Sequence, residues 1–122
     1  MVEDRQNLLI RTKAFALRII RLYSALPHTA EAQVIGKQLL RCGTSVGAHV
    51  REGKRSRSDA ELVSKIEVAL QELEESVYWI ELLQETGTVE VDAIPGLLEE
   101  ADELTAMLVS AAKTVKQRTA RT

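Results

Sequence analysis

The sequence predicts an all-α protein, an antiparallel up-down-up-down four-helix bundle, and three observations predict it. Hydrophobic residues make up 45% of the chain and aromatics only 3%, with 28% charged, which is the composition of long helices around an aliphatic core. Two prolines and six glycines in 122 residues are too few breaks for the turns of an all-β fold, and no window sustains a period-two alternation. Four apolar stripes at four-three spacing are separated by short breaks, and short connections force antiparallel neighbours. A chain of this length forms one domain, residues 1–122, around a single core.

The first helix is expected over about residues 3–24, where Leu8, Thr12, Phe15, Ile19, Leu22 and Leu26 form one stripe. Glu3 and Asp4 suit its positive end, and Pro27 stops it. The second helix is expected over about residues 29–54, capped by Thr29 with Glu31 in its first turn. Its stripe is Ile35, Leu39, Cys42, Val46 and His49, yet Gly36, Gly43 and Gly47 lie in its interior. Each interior glycine costs roughly 1 kcal/mol against alanine, so three of them imply a neighbour packed backbone to backbone. Gly43, Ser45, Gly47 and Ala48 are expected to make a smooth side for that contact. Gly-x-x-x-Gly pairs are best known in membrane helices, but Lys37, Arg41, Arg51 and Glu52 flank this one too closely for a bilayer.

After a break at Gly53 to Arg57, Ser58 and Glu61 fit a capping box that opens the third helix, about residues 58–86. Its stripe is Leu62, Ile66, Ala69, Leu73, Val77, Ile80 and Leu83, and Gly87 ends it. The fourth helix is expected over about residues 92–118, with Asp92 as cap and Pro95 in the tolerated first turn. Leu97, Ala101, Leu104, Leu108, Ala111 and Val115 form its stripe, and the tail after Lys116 is expected to fray. At 1.5 Å per residue the helices span roughly 33 to 42 Å.

Charge is unevenly placed although the net charge is only −2. Met1 to Arg57 holds eleven Lys and Arg against four acids, while Ser58 to Leu104 holds one lysine against fourteen acids. In an antiparallel bundle this arrangement neutralises neighbours. Against that reading stands Arg51, Lys54, Arg55 and Arg57, crowded at one bundle end as a patch for phosphate groups. No apolar run reaches the roughly 20 residues of a membrane span, and the first residues lack the build of a signal peptide, so a cytoplasmic protein with no membrane partner is expected. One cysteine, Cys42, excludes an intramolecular disulfide and cysteine-zinc chemistry.

Phe15-Ala16-Leu17-Arg18, Leu26-Pro27, Ile35 to Arg41, Gly43-Thr44-Ser45-Val46-Gly47-Ala48, Arg51-Glu52, Lys65, Ala69-Leu70, Glu72 and Tyr78 to Leu83 together resemble a known bacterial family. It is the four-helix bundle proteins encoded in intervening sequences of 23S ribosomal RNA genes. A related branch is the accessory variability proteins of retroelements, which are strongly basic and bind nucleic acid and a reverse transcriptase. The resemblance implies a ring-like homo-oligomer, expected as a pentamer, with no established catalytic activity. Cys42 stands where the family tends to have serine and His49 where it tends to have asparagine, and the stretch 53–57 is more basic than usual.

Few residues suggest chemistry. His49 stands beside Arg51 and Glu52 but alone, and the Glu-x-x-His pairs of di-iron bundles are missing, so no metal or cofactor is expected. An Arg-x4-6-His ribonuclease spacing over Arg21 and His28 is interrupted by Pro27, which ends the helix that should hold it. Cys42 is expected to be a small buried hydrophobe, and Trp79 and Tyr78 to pack in the core or at a subunit interface. The expected function is therefore a non-enzymatic scaffold or adaptor whose partners are its own copies and RNA or a nucleic-acid enzyme. The alternative is an RNA-processing hydrolase of ribonuclease type.

Overall fold

The computed structural model describes residues 2–90 and 93–120, with side chains from Asn7 onward. Four helices follow in order: α1 (Val2–Ser24), α2 (Ala30–Gly53), α3 (Asp59–Glu85) and α4 (Leu97–Ala120). No strand occurs among the described residues. Consecutive helices pack against one another and α1 closes on α4, most sparsely, so α1 and α3 stand diagonally across an up-down-up-down bundle.

Local chemistry sets the ends. The Thr29 hydroxyl accepts the Ala32 N–H at 3.3 Å, and the Ser58 hydroxyl accepts the Glu61 N–H at 3.1 Å. Gly87 follows the end of α3 with φ +73°, the left-handed conformation that glycine adopts without strain. The expected N-terminal acids Glu3 and Asp4 lie outside the described side chains, and the cap Asp92 lies outside the described residues.

The fourth helix corrects the expectation. It starts at Leu97, because Ile94, Pro95, Gly96 and Leu97 form a turn closed by Leu97 N–H to Ile94 O at 3.2 Å. Gly96 takes φ +73°, so this is the Pro-Gly pattern of a type II turn, and the helix begins with Glu100 N–H donating to Gly96 O. At the far end α4 continues helical past Lys116 to Ala120. Arg118 there forks onto Asp59 of α3 at 2.7 and 3.3 Å.

The core is aliphatic, and all six residues of the α1 stripe are buried. In α3 the inward phase passes through Ser76 rather than Val77, which is half-buried, and in α4 through Ala112 rather than Ala111. Buried Thr12 and Ser76 satisfy their hydroxyls on their own helices, donating to Leu8 O at 2.6 Å and Glu72 O at 2.7 Å.

Candidate interaction surfaces

The glycines of α2 make a seam with α1. A Cβ on Gly43 would lie 2.8 Å from Ile19 Cγ1, and one on Gly47 would lie 3.2 Å from Thr12 Oγ1 and 3.4 Å from the Thr12 carbonyl carbon. At Gly36 the obstacle is Leu26 Cδ1 at 2.5 Å, with the Tyr23 ring behind it. These three glycines are thus spent inside the chain, where two helices approach too closely for a side chain. Ser45 and Ala48 lie off that seam: Ser45 is half-buried with its hydroxyl on Arg41 O, and Ala48 is exposed.

Between α2 and α3 the polar groups form one connected set. Arg41 reaches Glu75 at 2.5 Å and Glu72 at 3.4 Å, and the Trp79 indole N–H donates to Glu75 at 3.0 Å. The indole, joined by Arg41, holds the Glu75 carboxyl below the usual carboxylate range. One layer deeper, the buried Ser76 hydroxyl lies 3.2 Å from Cys42 Sγ, and burial pushes the Cys42 thiol up, away from the reactive thiolate. His49 stands 3.4 Å from Glu52, which also receives Lys65 at 3.7 Å, and its enclosed Nδ1 has no hydrogen-bond partner among the described residues.

Charge pairing across the seams is extensive. Arg11 of α1 meets Glu100 and Glu103 of α4, and Lys116 of α4 meets Glu67 of α3 at 3.1 Å. The basic end differs. Arg51, Lys54, Arg55 and Arg57 are all exposed where α2 turns into α3, and the first three have no charged partner among the described residues. Arg57 lies 3.9 Å from Glu61. The C-terminal turns of α4, with Lys113, Lys116 and Arg118, reach the same end, where Arg118 pairs with Asp59 of the first α3 turn.

Two open depressions mark the surface. One, of about 470 Å3, lies beneath the α3–α4 connection with Leu22, Leu26, Ile94 and Leu97 at its floor and Arg18 and Arg21 at its edge. Arg18 there donates to Pro95 O at 2.6 Å. The other, of about 540 Å3, runs between α3 and α4 past Leu70, Val109 and Lys113. Arg21 lies in the last turn of α1, while His28 stands in the connection beyond Pro27 and lines neither depression. No group of three metal-ligating side chains occurs among the described residues, and no helix there is long and apolar enough to cross a membrane.

What composition did not reveal is the apolar outer surface. Ile10, Leu17 and Ile20 are 62%, 41% and 42% exposed along the outer side of α1, and Tyr78 is 54% exposed on α3. Tyr78 also meets the half-buried Trp79 edge-on, ring centroids 5.1 Å apart.

No curated protein matches the sequence. Among solved structures, a crystal structure at 1.70 Å of a protein of unknown function from the S23 ribosomal protein family of Bacteroides thetaiotaomicron is similar. It shares 33% identity and a TM-score of 0.84, over 90% of this chain and 98% of that one. The family model for 23S rRNA-intervening sequence proteins matches residues 6–110. With that span and that bundle in agreement, the chain belongs to the 23S rRNA-intervening sequence protein family.

Proposed function

We propose that the chain is a non-enzymatic scaffold that assembles from its own copies into a homo-oligomer larger than a dimer, a pentamer being the expected form. The observation that carries this reading is the exposed aliphatic row Ile10, Leu17 and Ile20 on the outer side of α1. Scattered surface aliphatics are ordinary, but three large ones sharing a side of one helix make a surface that water favours covering. Multi-angle light scattering tests it. A single species near five times 13.5 kDa is expected, and a mass of one or two chains at micromolar concentration overturns the reading.

A second activity, RNA contact, is favoured by the cations Arg51, Lys54 and Arg55, unpaired among the described residues, beside Arg57. Arg41 and Lys116 at the bundle seams face carboxylates; the cluster at this end is available to an external anion. Each copy alone would bind weakly and without sequence preference, and several copies on one assembly would act together. Fluorescence anisotropy with a structured RNA should show binding at about 50 mM salt that falls steeply by about 200 mM. Changing all four residues to serine should abolish it. Binding that survives the change places the contact elsewhere, and cleavage of the RNA replaces the scaffold reading with the hydrolase one.

A further inference from the structure

We infer that the assembly is built head to tail, with the outer face of α1 in one copy seated on the outer face of α3 in the next. The inference rests on the scaffold reading and adds which surfaces meet. On α1, Leu17 and Ile20 are exposed, with Lys13 one turn before Leu17 and Arg21 one turn after it. On α3, Tyr78 is exposed, with Glu74 one turn before it and Glu81 one turn after. Lys13, Arg21, Glu74 and Glu81 are all exposed, and none has a charged partner within the described residues. One face is thus aliphatic between two cations, and the other is aromatic between two anions. Like charges would oppose α1 on α1 or α3 on α3, whereas α1 on α3 pairs every charge with its opposite.

The heights are close but not equal. Gly43 lies against Ile19, and the neighbouring Cys42 lies against Ser76, which puts residue 19 of α1 level with residue 75 or 76 of α3. Ile20 and Tyr78 then stand within two residues of one height, about 3 Å along the axis. The charged pairs are further apart in height, Lys13 from Glu74 by about four to five residues and Arg21 from Glu81 by about three to four, so, since α1 and α3 run in the same direction, sliding one copy by about one helical turn brings the two patterns together. The two faces sit on diagonally opposite helices, so one copy cannot present both to the same neighbour. Each copy has two different neighbours, and a discrete mass requires the chain of contacts to close into a ring.

Mixing two damaged proteins tests this. In the first, Leu17→Glu and Ile20→Glu spoil the α1 face; in the second, Tyr78→Lys and Trp79→Lys spoil the α3 face. A third, Tyr78→Lys alone, guards against loss of folding through the half-buried Trp79, and circular dichroism reports the fold of each. With an oligomeric parent, each variant is expected as a monomer, and an equimolar mixture of the two is expected as a dimer of 13.5 kDa chains, because only one intact pair of faces remains. Dissociation by the α1 variant alone, with no recovery on mixing, overturns the inference in favour of a two-fold contact. Folded variants that all keep the parent mass overturn it too, and leave the scaffold reading standing. A monomeric parent overturns both.

Discussion

Helix α1 is held by α2 and by α4 in opposite ways. Towards α2 the contact is steric: Gly43 and Gly47 let Ile19 and Thr12 come so close that a single added carbon has no room. Towards α4 the contact is sparse and polar, with Arg11 spanning Glu100, Glu103 and the Met107 sulfur, and Arg18 on Pro95 O in the turn before that helix. A backbone-close seam fixes register because packed atoms cannot yield, whereas long side chains reach across a gap and tolerate change. The molecule therefore has a rigid half and an adaptable seam.

The sharpest break of that contrast is Gly43→Leu, with Gly47→Leu beside it. Overpacking typically costs about 1 to 3 kcal/mol, and here the obstacles are β-branched Ile19 and the Thr12 backbone rather than flexible tips. Thermal unfolding should drop by at least about 5 °C for Gly43→Leu. Melting of both variants within about 2 °C of the parent would mean that the α1–α2 seam can open at little cost.

Gly36→Ala should be milder than Gly43→Ala, although its obstacle is nominally closer. Leu26 Cδ1, at 2.5 Å, is the tip of a rotatable side chain at the end of α1, while Ile19 is clamped in mid-helix. Alanine also favours helix by about 1 kcal/mol, partly offsetting the clash. Chemical denaturation of the two variants ranks them directly, and the reverse order would show that the end of α1 is as fixed as its middle.

How much of this was legible depends on whether the signal is local. The α1 stripe, the caps at Thr29 and Ser58 and the stop at Gly87 follow from neighbours in the sequence, and the structure has them. The start of α4 was misread because proline suits both the first turn of a helix and the second position of a turn. Gly96 was the signal that could have decided it, since a following glycine with positive φ favours the turn. Arg11 and Glu100 are 89 residues apart, and nothing local marks them as partners. Of the candidate site residues, the basic cluster is placed by its position in a connection, but that Arg51, Lys54 and Arg55 have no carboxylate partner among the described residues is a tertiary fact. The outer row of α1 was hidden for another reason: an exposed leucine reads the same as a tolerated one until its neighbours are seen.

On the α1–α4 side, Arg11→Met should lower stability by no more than about 1 kcal/mol, because a partly exposed pair with carboxylates gains little net energy and methionine keeps the packing of the stem. Added salt should narrow the difference between parent and variant. A larger loss, insensitive to salt, would mean that this seam is as sterically fixed as the one formed by glycines.

The smallest effect belongs to pH, and it separates the polar α2–α3 surface from both α1 seams. Glu75 is held below the usual carboxylate range first by the Trp79 N–H and then by Arg41. A carboxylate lowered in the folded state contributes stability above its ordinary value and loses that contribution as pH falls through the lowered value. The window therefore opens near pH 4.5, the ordinary value, and extends downwards. Trp79→Phe removes the indole donor, so Glu75 should titrate closer to the ordinary value, and the variant should differ from the parent more at neutral pH than at pH values below the window. Carbon-13 chemical shifts of the Glu75 side chain followed against pH measure the shift itself. An unchanged titration in Trp79→Phe would assign the lowering to Arg41 alone, which Arg41→Gln would then have to abolish.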